Sequence, residues 1–283
     1  MAYIDRDAII NALTVSDYGQ RRIFSKAMPT NSVANTYSTL WDSDGIPVAG
    51  TYAGVAYAAN QITSSTTGAF SFTNATSPRR LFMLGADSFS PTAVSAGSII
   101  ILDRLLQVDG INHATIGTTA FTGTTTLPRY TTGAGVMAFL EVTTGLNAVA
   151  HTVQLTYTNQ AGTGSRTTTA ITPIASSAAR RVPYAPLYFP LQSGDTGIRS
   201  ITNVIVASGG APTGTSSLVL AKPICAISMY DIAVKGFWEA LSSEVDLPQL
   251  PDNHCLMFLV CSQGAATTPK YLGMLRAVEM AIA

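Results

Sequence analysis

The chain has 283 residues, of which 47% are hydrophobic, and its 16 basic residues are balanced by 16 acidic ones. This apolar content supports a folded core and excludes a disordered chain, and the length suits one large domain or two smaller ones. Because the formal net charge is zero, no overall field attracts a polyanion, and we expect no direct binding to nucleic acid.

Charged residues make up only 11% of the chain, compared with about 25% in ordinary soluble domains. The surface is therefore expected to be neutral and rich in threonine, serine, alanine, glycine and asparagine. Such a surface suits a protein that is buried in subunit contacts or built into a particle. A threonine-rich β-protein with an uncharged surface is the alternative explanation.

The first part of the chain predicts a helix followed by an extended arm. Ile9 and Leu13 stand four residues apart, as neighbours on one helical face do, and a second helical piece is predicted over residues 17–27. Residues 30–77 then show neither a helical nor a strand period. Because so long an aperiodic stretch is usually functional or a linker, we interpret residues 1–77 as an N-terminal helix and an extended arm.

From residue 78 onward the pattern is that of β-strands. Val153, Leu155 and Tyr157 alternate with threonine and glutamine, which is typical of a half-buried antiparallel strand, and residues 157–166 predict the following hairpin turn. Strand-like stretches cover residues 81–84, 98–108, 135–142, 152–158, 166–171, 199–207, 216–220, 255–261 and 271–277.

Residues 255–261, with the sequence CLMFLVC, are apolar on both faces, as in a central strand covered on both sides, although a buried helix has the same pattern. Many short strands with Gly/Pro turns and no interleaved helices predict a mainly β protein. We expect an antiparallel β-sandwich or jelly-roll-like core over residues 78–283. A division into two β subdomains near residues 180–195 is the alternative.

Motifs that carry chemistry are absent from the sequence. It has no G-x-S-x-G, no P-loop, no complete G-x-G-x-x-G and no H-E-x-x-H. His113, His151 and His254 lie in separate segments without metal-ligand spacing. We therefore predict that the protein is not an enzyme and has no cofactor and no metal site.

Three aspartates could supply oxygen ligands to a cation, namely Asp87, Asp103 and Asp109, but they lack the dense acidic loop of a calcium site. The simpler interpretation pairs Asp103 with the adjacent Arg104. The three cysteines are too few for a disulfide framework, so we expect free, buried thiols. No apolar run is long enough to cross a bilayer, and no signal peptide is suggested, so no membrane contact is expected.

Basic doublets and aromatic residues in the first 80 residues are candidates for contacts with a partner. Arginine offers a planar fork for carboxylates at a subunit contact, and exposed aromatic residues serve as anchors. Solvated charges and aromatic residues that pack onto their own core are the alternatives. The predicted interface residues are Ile9, Leu13, Arg21, Arg22, Trp41, Tyr52, Tyr57, Arg79 and Arg80.

An ordered series of segments resembles a family of structural proteins of tailed-bacteriophage virions. The segments are LFMLGADSFSPTAVSAGSIIILDRL (81–105), LPRYTTGAGVMAFLEV (127–142), VQLTYTNQAGTGSRTTTA (153–170), LQSGDTGIRSITNVIVAS (191–208) and LPQLPDNHCLMFLVCS (247–262). Together they run over most of residues 80–262, and the N-terminal part carries less of the resemblance.

The resemblance implies a non-enzymatic capsid decoration, or cement, protein that binds across major capsid protein subunits and stabilises the head. It also implies a homo-oligomer, with a trimer favoured, and a location in the virion, which is assembled in the cytoplasm of the bacterial host. It supplies no catalytic or cofactor residues. The alternatives are a tail or connector component, a head-fibre component and a glycan-binding adhesin module.

Overall fold

The protein is described by a computed structural model that covers residues 6–14, 18–28, 31–52, 54–91, 97–182, 187–229, 234–240, 247–265 and 268–281. The predicted fold class is confirmed: the chain is mainly β, with antiparallel sheets and a short N-terminal helix. The sequence also predicts Asp5 as the N-terminal cap of that helix, but Asp5 lies outside the described residues.

The helix α1 spans Arg6–Thr14. The strands are β1 (Gly19–Ala27), β2 (Thr36–Thr39), β3 (Asp44–Ile46), β4 (Ala58–Gln61), β5 (Arg79–Phe89), β6 (Gly97–Asn112), β7 (Gly117–Ala120), β8 (Thr122–Gly123), β9 (Met137–Thr144), β10 (Thr152–Asn159), β11 (Arg166–Thr167), β12 (Arg181–Val182), β13 (Ile198–Ala207), β14 (Thr215–Met229), β15 (Gly236–Glu239), β16 (Gln249–Leu250), β17 (Leu256–Ser262) and β18 (Lys270–Ala281).

The strands form three sheets. Sheet A has the order β15-β5-β18-β1-β3, with β16 beside β5. Sheet B has the order β12-β2-β17-β6-β14-β9, with β4 beside β6 and β8 beside β4, and sheet C has the order β11-β10-β13-β7. The apolar strand at residues 256–262 is central, as predicted, because β17 pairs with β2 on one side and β6 on the other.

Sheet B contributes to two hydrophobic cores. The A–B core joins it to sheet A, and the B–C core joins it to sheet C. Strand β6 serves both, since Ile99 and Ile101 belong to the A–B core and Leu105 belongs to the B–C core. In the A–B core the rings of Phe24 and Phe258 stack with their centroids 4.5 Å apart. Full burial of one such side chain contributes about 1.5–3 kcal/mol.

The second predicted helical piece is wrong. Residues 19–27 form strand β1, which pairs with β18 along its whole length, from Gly19 opposite Val278 to Ala27 opposite Lys270. Phe24 is fully buried within this strand. Pairing with a distant strand and burial of the phenyl ring therefore outweigh the local helical preference of this segment.

The extended arm needs a similar correction, because strands from the first 77 residues lie inside the sheets of the core. Strand β1 is an inner strand of sheet A, and strands β2 and β4 pair with β17 and β6 in sheet B. The region between residues 19 and 61 is thus part of the folded unit. Along the sequence, β10 and β13 lie on either side of residues 180–195, and they pair as neighbours in sheet C, so both sides of that stretch share one sheet.

Deleting residues 1–60 is accordingly expected to abolish cooperative folding, because it removes strands β1 to β3 and most of β4. Deleting residues 1–17 removes only α1 and serves as the control, which we expect to remain folded. Circular dichroism and urea unfolding measure both variants. A cooperative unfolding transition for the longer deletion would restore the interpretation of this region as an arm.

Candidate interaction surface

Sheet A has one face on the A–B core and a second face that points away from sheet B, which we call the outer face. Along β1 the side chains of Phe24 and Lys26 are buried, while those of Arg21 and Ile23 are exposed. Because side chains alternate along a strand, Arg21 and Ile23 lie on the outer face. Neighbouring strands of sheet A supply further side chains to the same face.

Helix α1 covers one end of the outer face. Ile9 is 2% exposed and packs with Phe82, Leu84 and Val278, whose neighbours along the strands belong instead to the A–B core. Leu13 lies at the edge of this contact and is 37% exposed. The two helix residues that the sequence predicts as contacts to a partner therefore differ. Ile9 packs the helix onto its own sheet, whereas Leu13 is exposed enough to contact a partner.

Beyond the helix, an exposed apolar row crosses sheet A from edge to edge. Three of its side chains are largely exposed: Ile23 at 65%, Ile46 at 58% and Phe237 at 68%. The pairing register explains the row, because Ile23 lies opposite Met274, Met274 opposite Asp87, and Asp87 opposite Phe237. We call this feature the outer stripe; its apolar members are Ile23, Ile46, Phe89, Phe237, Leu272 and Met274, and Asp87 lies between Met274 and Phe237 in the same row.

Two arginines lie directly opposite each other beside the outer stripe. Arg21 on β1 pairs in register with Arg276 on β18, an arrangement of like charges that destabilises a sheet by itself. Arg276 is 3.8 Å from Asp87, which also pairs with Lys235 at 3.1 Å. The buried Nε of Arg276 has no hydrogen-bond partner within the described part of the chain. A carboxylate supplied from outside would relieve this repulsion.

The remaining arginines and Tyr57 make local contacts. The guanidinium of Arg79 lies 3.8 Å from the ring centre of Tyr18, and Arg22 and Arg80 are exposed. Arg80 lies on the outer-face side of β5, the same side as Phe82. Tyr57 is away from sheet A, and its hydroxyl accepts a hydrogen bond of 3.1 Å from the backbone N–H of Asn112.

Trp41 and Tyr52 belong to the protein's own core, as the alternative interpretation of these aromatic residues held. Trp41 is 2% exposed in the B–C core, and the guanidinium of Arg104 lies 4.5 Å from its ring centre. The Tyr52 hydroxyl donates a hydrogen bond of 3.1 Å to Glu141. Burial, and next the nearby carboxylate of Glu141, raise the pKa of Tyr52 well above its usual value.

A buried polar network surrounds Arg104, and no sequence pattern indicates its partners. Arg104 donates a hydrogen bond of 2.9 Å to Glu141, and both side chains are fully buried. Its other nitrogens donate to Gln107, whose amide donates in turn to Asp109 at 2.7 Å. Asp109 also accepts a bond of 2.6 Å from Ser217 on the next strand. Burial raises the pKa of Glu141, and Arg104 opposes that shift.

Asp103 does not pair with its neighbour Arg104. Successive side chains of β6 point to opposite faces, so Asp103 pairs with Arg129, whose guanidinium also donates to the carbonyl oxygen of Ile62 at 2.7 Å. The backbone N–H of Cys255 donates to Asp103 as well. The three aspartates considered as cation ligands thus have separate partners. Among the residues that the structure describes, no group of three metal-binding side chains comes together.

Two of the three histidines meet, although they are 38 residues apart. His113 Nδ1 lies 2.7 Å from His151 Nε2, and His113 Nε2 lies 2.8 Å from the hydroxyl of Ser216. His151 Nδ1 faces the carbonyl oxygen of Val149 at 3.0 Å, which fixes this nitrogen as a donor. One chain of hydrogen bonds then satisfies every group with both rings neutral: Ser216 to His113, His113 to His151, and His151 to Val149.

Ser216 is fully buried. Through these hydrogen bonds the cluster connects Ser216 on β14 and His113, just after β6, to His151, just before β10. Burial and the neighbouring His151 lower the pKa of His113 to about 4. The three cysteines are free, as expected, but only Cys255 is buried, and Cys225 and Cys261 are partly exposed. Burial raises the pKa of Cys225 and Cys255 to about 12. No helix within the described ranges has the length and apolar character needed to cross a membrane.

No family model and no curated protein sequence matches the chain. Among solved structures, the chain is similar to VP2 of infectious bursal disease virus in a subviral particle, with 9% identity and a TM-score of 0.22 over 98% of this chain and 87% of that chain. It is also similar to the T13 particle of the same virus, with 10% identity and a TM-score of 0.21 over 93% of this chain and 77% of that chain. TM-scores at this level do not indicate a shared fold.

Proposed function

We propose that the protein is a non-enzymatic structural component of a bacteriophage virion, and specifically a decoration or cement protein that binds major capsid protein subunits and stabilises the head. The outer stripe is the observation that carries this proposal. Three of its side chains are more than half exposed, and exposed apolar side chains that cluster on one face of a sheet mark a contact with another protein. The resemblance of residues 80–262 to virion structural proteins supports the same role.

The charges beside the stripe define the chemistry of the partner surface. Arg21 and Arg276 lie side by side, and Lys235 is 60% exposed next to them. A partner with apolar side chains flanked by carboxylates would cover the stripe, and its carboxylates would accept hydrogen bonds from the arginine guanidinium groups. We propose the major capsid protein as this partner. A shell of identical subunits presents the same surface many times, so each copy of this protein, with its own arginine pair, would find the same partner surface.

Stabilisation of a shell requires only a modest gain at each contact. Each Å² of apolar surface removed from water contributes about 25 cal/mol, and the ordering of side chains offsets part of that gain. Contacts that are repeated over the shell add together, so neighbouring subunits separate only when many contacts break. The protein would then act from the virion surface, without direct contact to nucleic acid or membrane.

Replacing Ile23 by aspartate is expected to weaken binding to particles by about tenfold or more, because a charge replaces an apolar side chain at the centre of the contact. Binding is measured by cosedimentation with particles that were assembled without this protein. Val55→Asp is the matched control, because Val55 is 76% exposed and lies outside the outer stripe. Equal binding of the Ile23 variant and the native protein would contradict the proposal.

We also propose that the protein is a homo-oligomer, with a trimer favoured, and light scattering measures the oligomeric state of the native protein and of the same variants. We expect Ile23→Asp to keep the oligomeric state of the native protein, since the outer stripe is assigned to the capsid. Loss of the oligomer with unchanged binding to particles would instead make the stripe a contact between copies of this chain. Location of the protein on tails, in electron micrographs of labelled virions, would overturn the capsid assignment.

A further inference from the structure

A second surface feature is a cleft at one end of sheet C, on a different sheet from the outer stripe. It has a volume of about 420 Å³, within the range of about 300–1,000 Å³ that is usual for small-molecule sites. The polar groups that line it are the hydroxyls of Thr126, Thr131, Thr158 and Ser200 and the guanidinium of Arg199.

The register of sheet C explains how these groups come together. Thr158 on β10 lies opposite Ser200 on β13. Their neighbours Tyr157 and Ile201 are buried in the B–C core, so Thr158 and Ser200 point to the opposite, solvent-facing side. The hairpin turn after β10 closes one wall, where Gly162 has a φ of 85°.

Gly162 also sets the distance between this wall and the guanidinium. A Cβ at Gly162 would lie 3.4 Å from Nη1 of Arg199, so the turn backs directly onto that group. Any side chain at this position would be strained by the positive φ, although its Cβ would make only an ordinary van der Waals contact with the guanidinium.

Arg199 and the four hydroxyls have no hydrogen-bond or ion-pair partner in the part of the chain that the structure describes. The neighbouring Arg166 differs, because its guanidinium lies 2.9 Å from Asp195 and is neutralised by it. Further along the same face of sheet C, the buried Oδ1 of Asn203 also lacks a partner. Because buried acceptors are normally satisfied, this atom is open to a donor from a ligand or water.

We propose that this cleft binds an acidic sugar, with a carboxylate on Arg199 and ring hydroxyls on the threonine and serine side chains. The guanidinium fork matches a carboxylate in bidentate geometry. Hydroxyl side chains both donate and accept hydrogen bonds, as sugar hydroxyls do. A single site of this kind binds weakly, but many copies on one particle would bind a sugar-coated surface strongly.

The experiment is a titration of the ¹⁵N-labelled full chain, followed by NMR, with D-glucuronate, D-glucose and inorganic phosphate at constant ionic strength. We expect glucuronate at millimolar concentration to shift the amide signals of residues 158–162 and 199–200. Glucose and phosphate should bind more weakly, because glucose has ring hydroxyls but no anionic group, and phosphate has negative charge but no ring hydroxyls. Binding of phosphate as strong as that of glucuronate would show a general anion site and overturn the sugar assignment.

Two variants test the roles of the residues. Arg199→Gln should weaken glucuronate binding about tenfold or more, which corresponds to the loss of a charge-assisted hydrogen bond, and Thr158→Val should weaken it several-fold. Arg181→Gln is the matched control, because Arg181 is partly exposed and lies in sheet B. Unchanged glucuronate binding by Arg199→Gln would overturn the proposal, as would equal losses with Arg181→Gln. Neither result depends on whether the outer stripe binds a capsid.

Discussion

Replacing Arg104 by methionine is expected to lower the free energy of unfolding by about 3–5 kcal/mol, because it leaves a buried carboxylate without its counter-charge. Arg104 and Glu141 are both fully buried and 2.9 Å apart. The change also removes the donors to Gln107 and the contact with the Trp41 ring. Urea unfolding of the native and variant proteins measures the difference.

The pH dependence of this defect identifies its cause. Burial already raises the pKa of Glu141, and Arg104 opposes that rise, so the variant should hold Glu141 at a pKa above its unfolded value. The stabilisation that comes from a raised pKa is present at low pH and is lost as the pH rises. The defect should therefore be larger at pH 8 than at pH 5. A defect independent of pH would contradict an electrostatic origin.

Two further variants separate charge from packing. Arg104→Met combined with Glu141→Gln should recover part of the lost stability, because no buried charge remains. Arg180→Met is the matched control, since Arg180 and Asp42 form a pair whose side chains are 27% and 18% exposed. Loss of such a partly exposed pair should cost about 1 kcal/mol or less.

Acidification is expected to destabilise the protein through His113. The pKa of this side chain is about 4 in the folded protein, compared with 6.5 for the unperturbed group. A lowered histidine pKa means that the unfolded chain binds a proton that the folded chain does not, so stability falls as the pH drops from about 6.5 towards 4. The full shift corresponds to about 3 kcal/mol, since each pKa unit is about 1.4 kcal/mol.

The contribution of His113 is isolated by comparing pH profiles of the free energy of unfolding between pH 4 and pH 8. His113→Gln removes the titrating group, so the gap between native and variant protein should narrow as the pH falls. Ser216→Ala removes the hydrogen bond to the ring but keeps the ring, and its profile should run parallel to that of the native protein. A gap between the native protein and His113→Gln that stays constant over this range would show that His113 does not couple to folding.

The strands were predictable where the pattern was local. The alternation at residues 152–158 became β10, and the hairpin turn that was predicted after it joins β10 to β11. The apolar run at residues 256–261 became the central strand β17. Strand β1 was not predictable in this way, because its sequence has neither alternation nor a strong β-propensity, and β18 is the partner that determines its conformation.

The candidate interaction surface was predictable only in part. Arg21 and Leu13 were chosen from their place in the sequence, and the structure puts both on or beside the outer face of sheet A. Phe237, the most exposed residue of the stripe, was not predicted, because an isolated apolar residue carries no signal until the sheet aligns it with others. Ile23 is not among the predicted interface residues either. Trp41 was chosen for its aromatic side chain, but nothing in the sequence indicated that Arg104 would lie over its ring.

The pairing of β1 with β18 has a consequence for when the outer stripe can exist. Strand β1 ends at Ala27 and β18 begins at Lys270, so the ribosome must make the whole intervening chain before Ile23 can lie beside Met274. Helix–sheet contacts and the arginine pair depend on the same late strand. A chain that has β1 but not yet β18 therefore lacks this surface, so binding through the stripe would distinguish chains that contain both strands from chains that contain only the first.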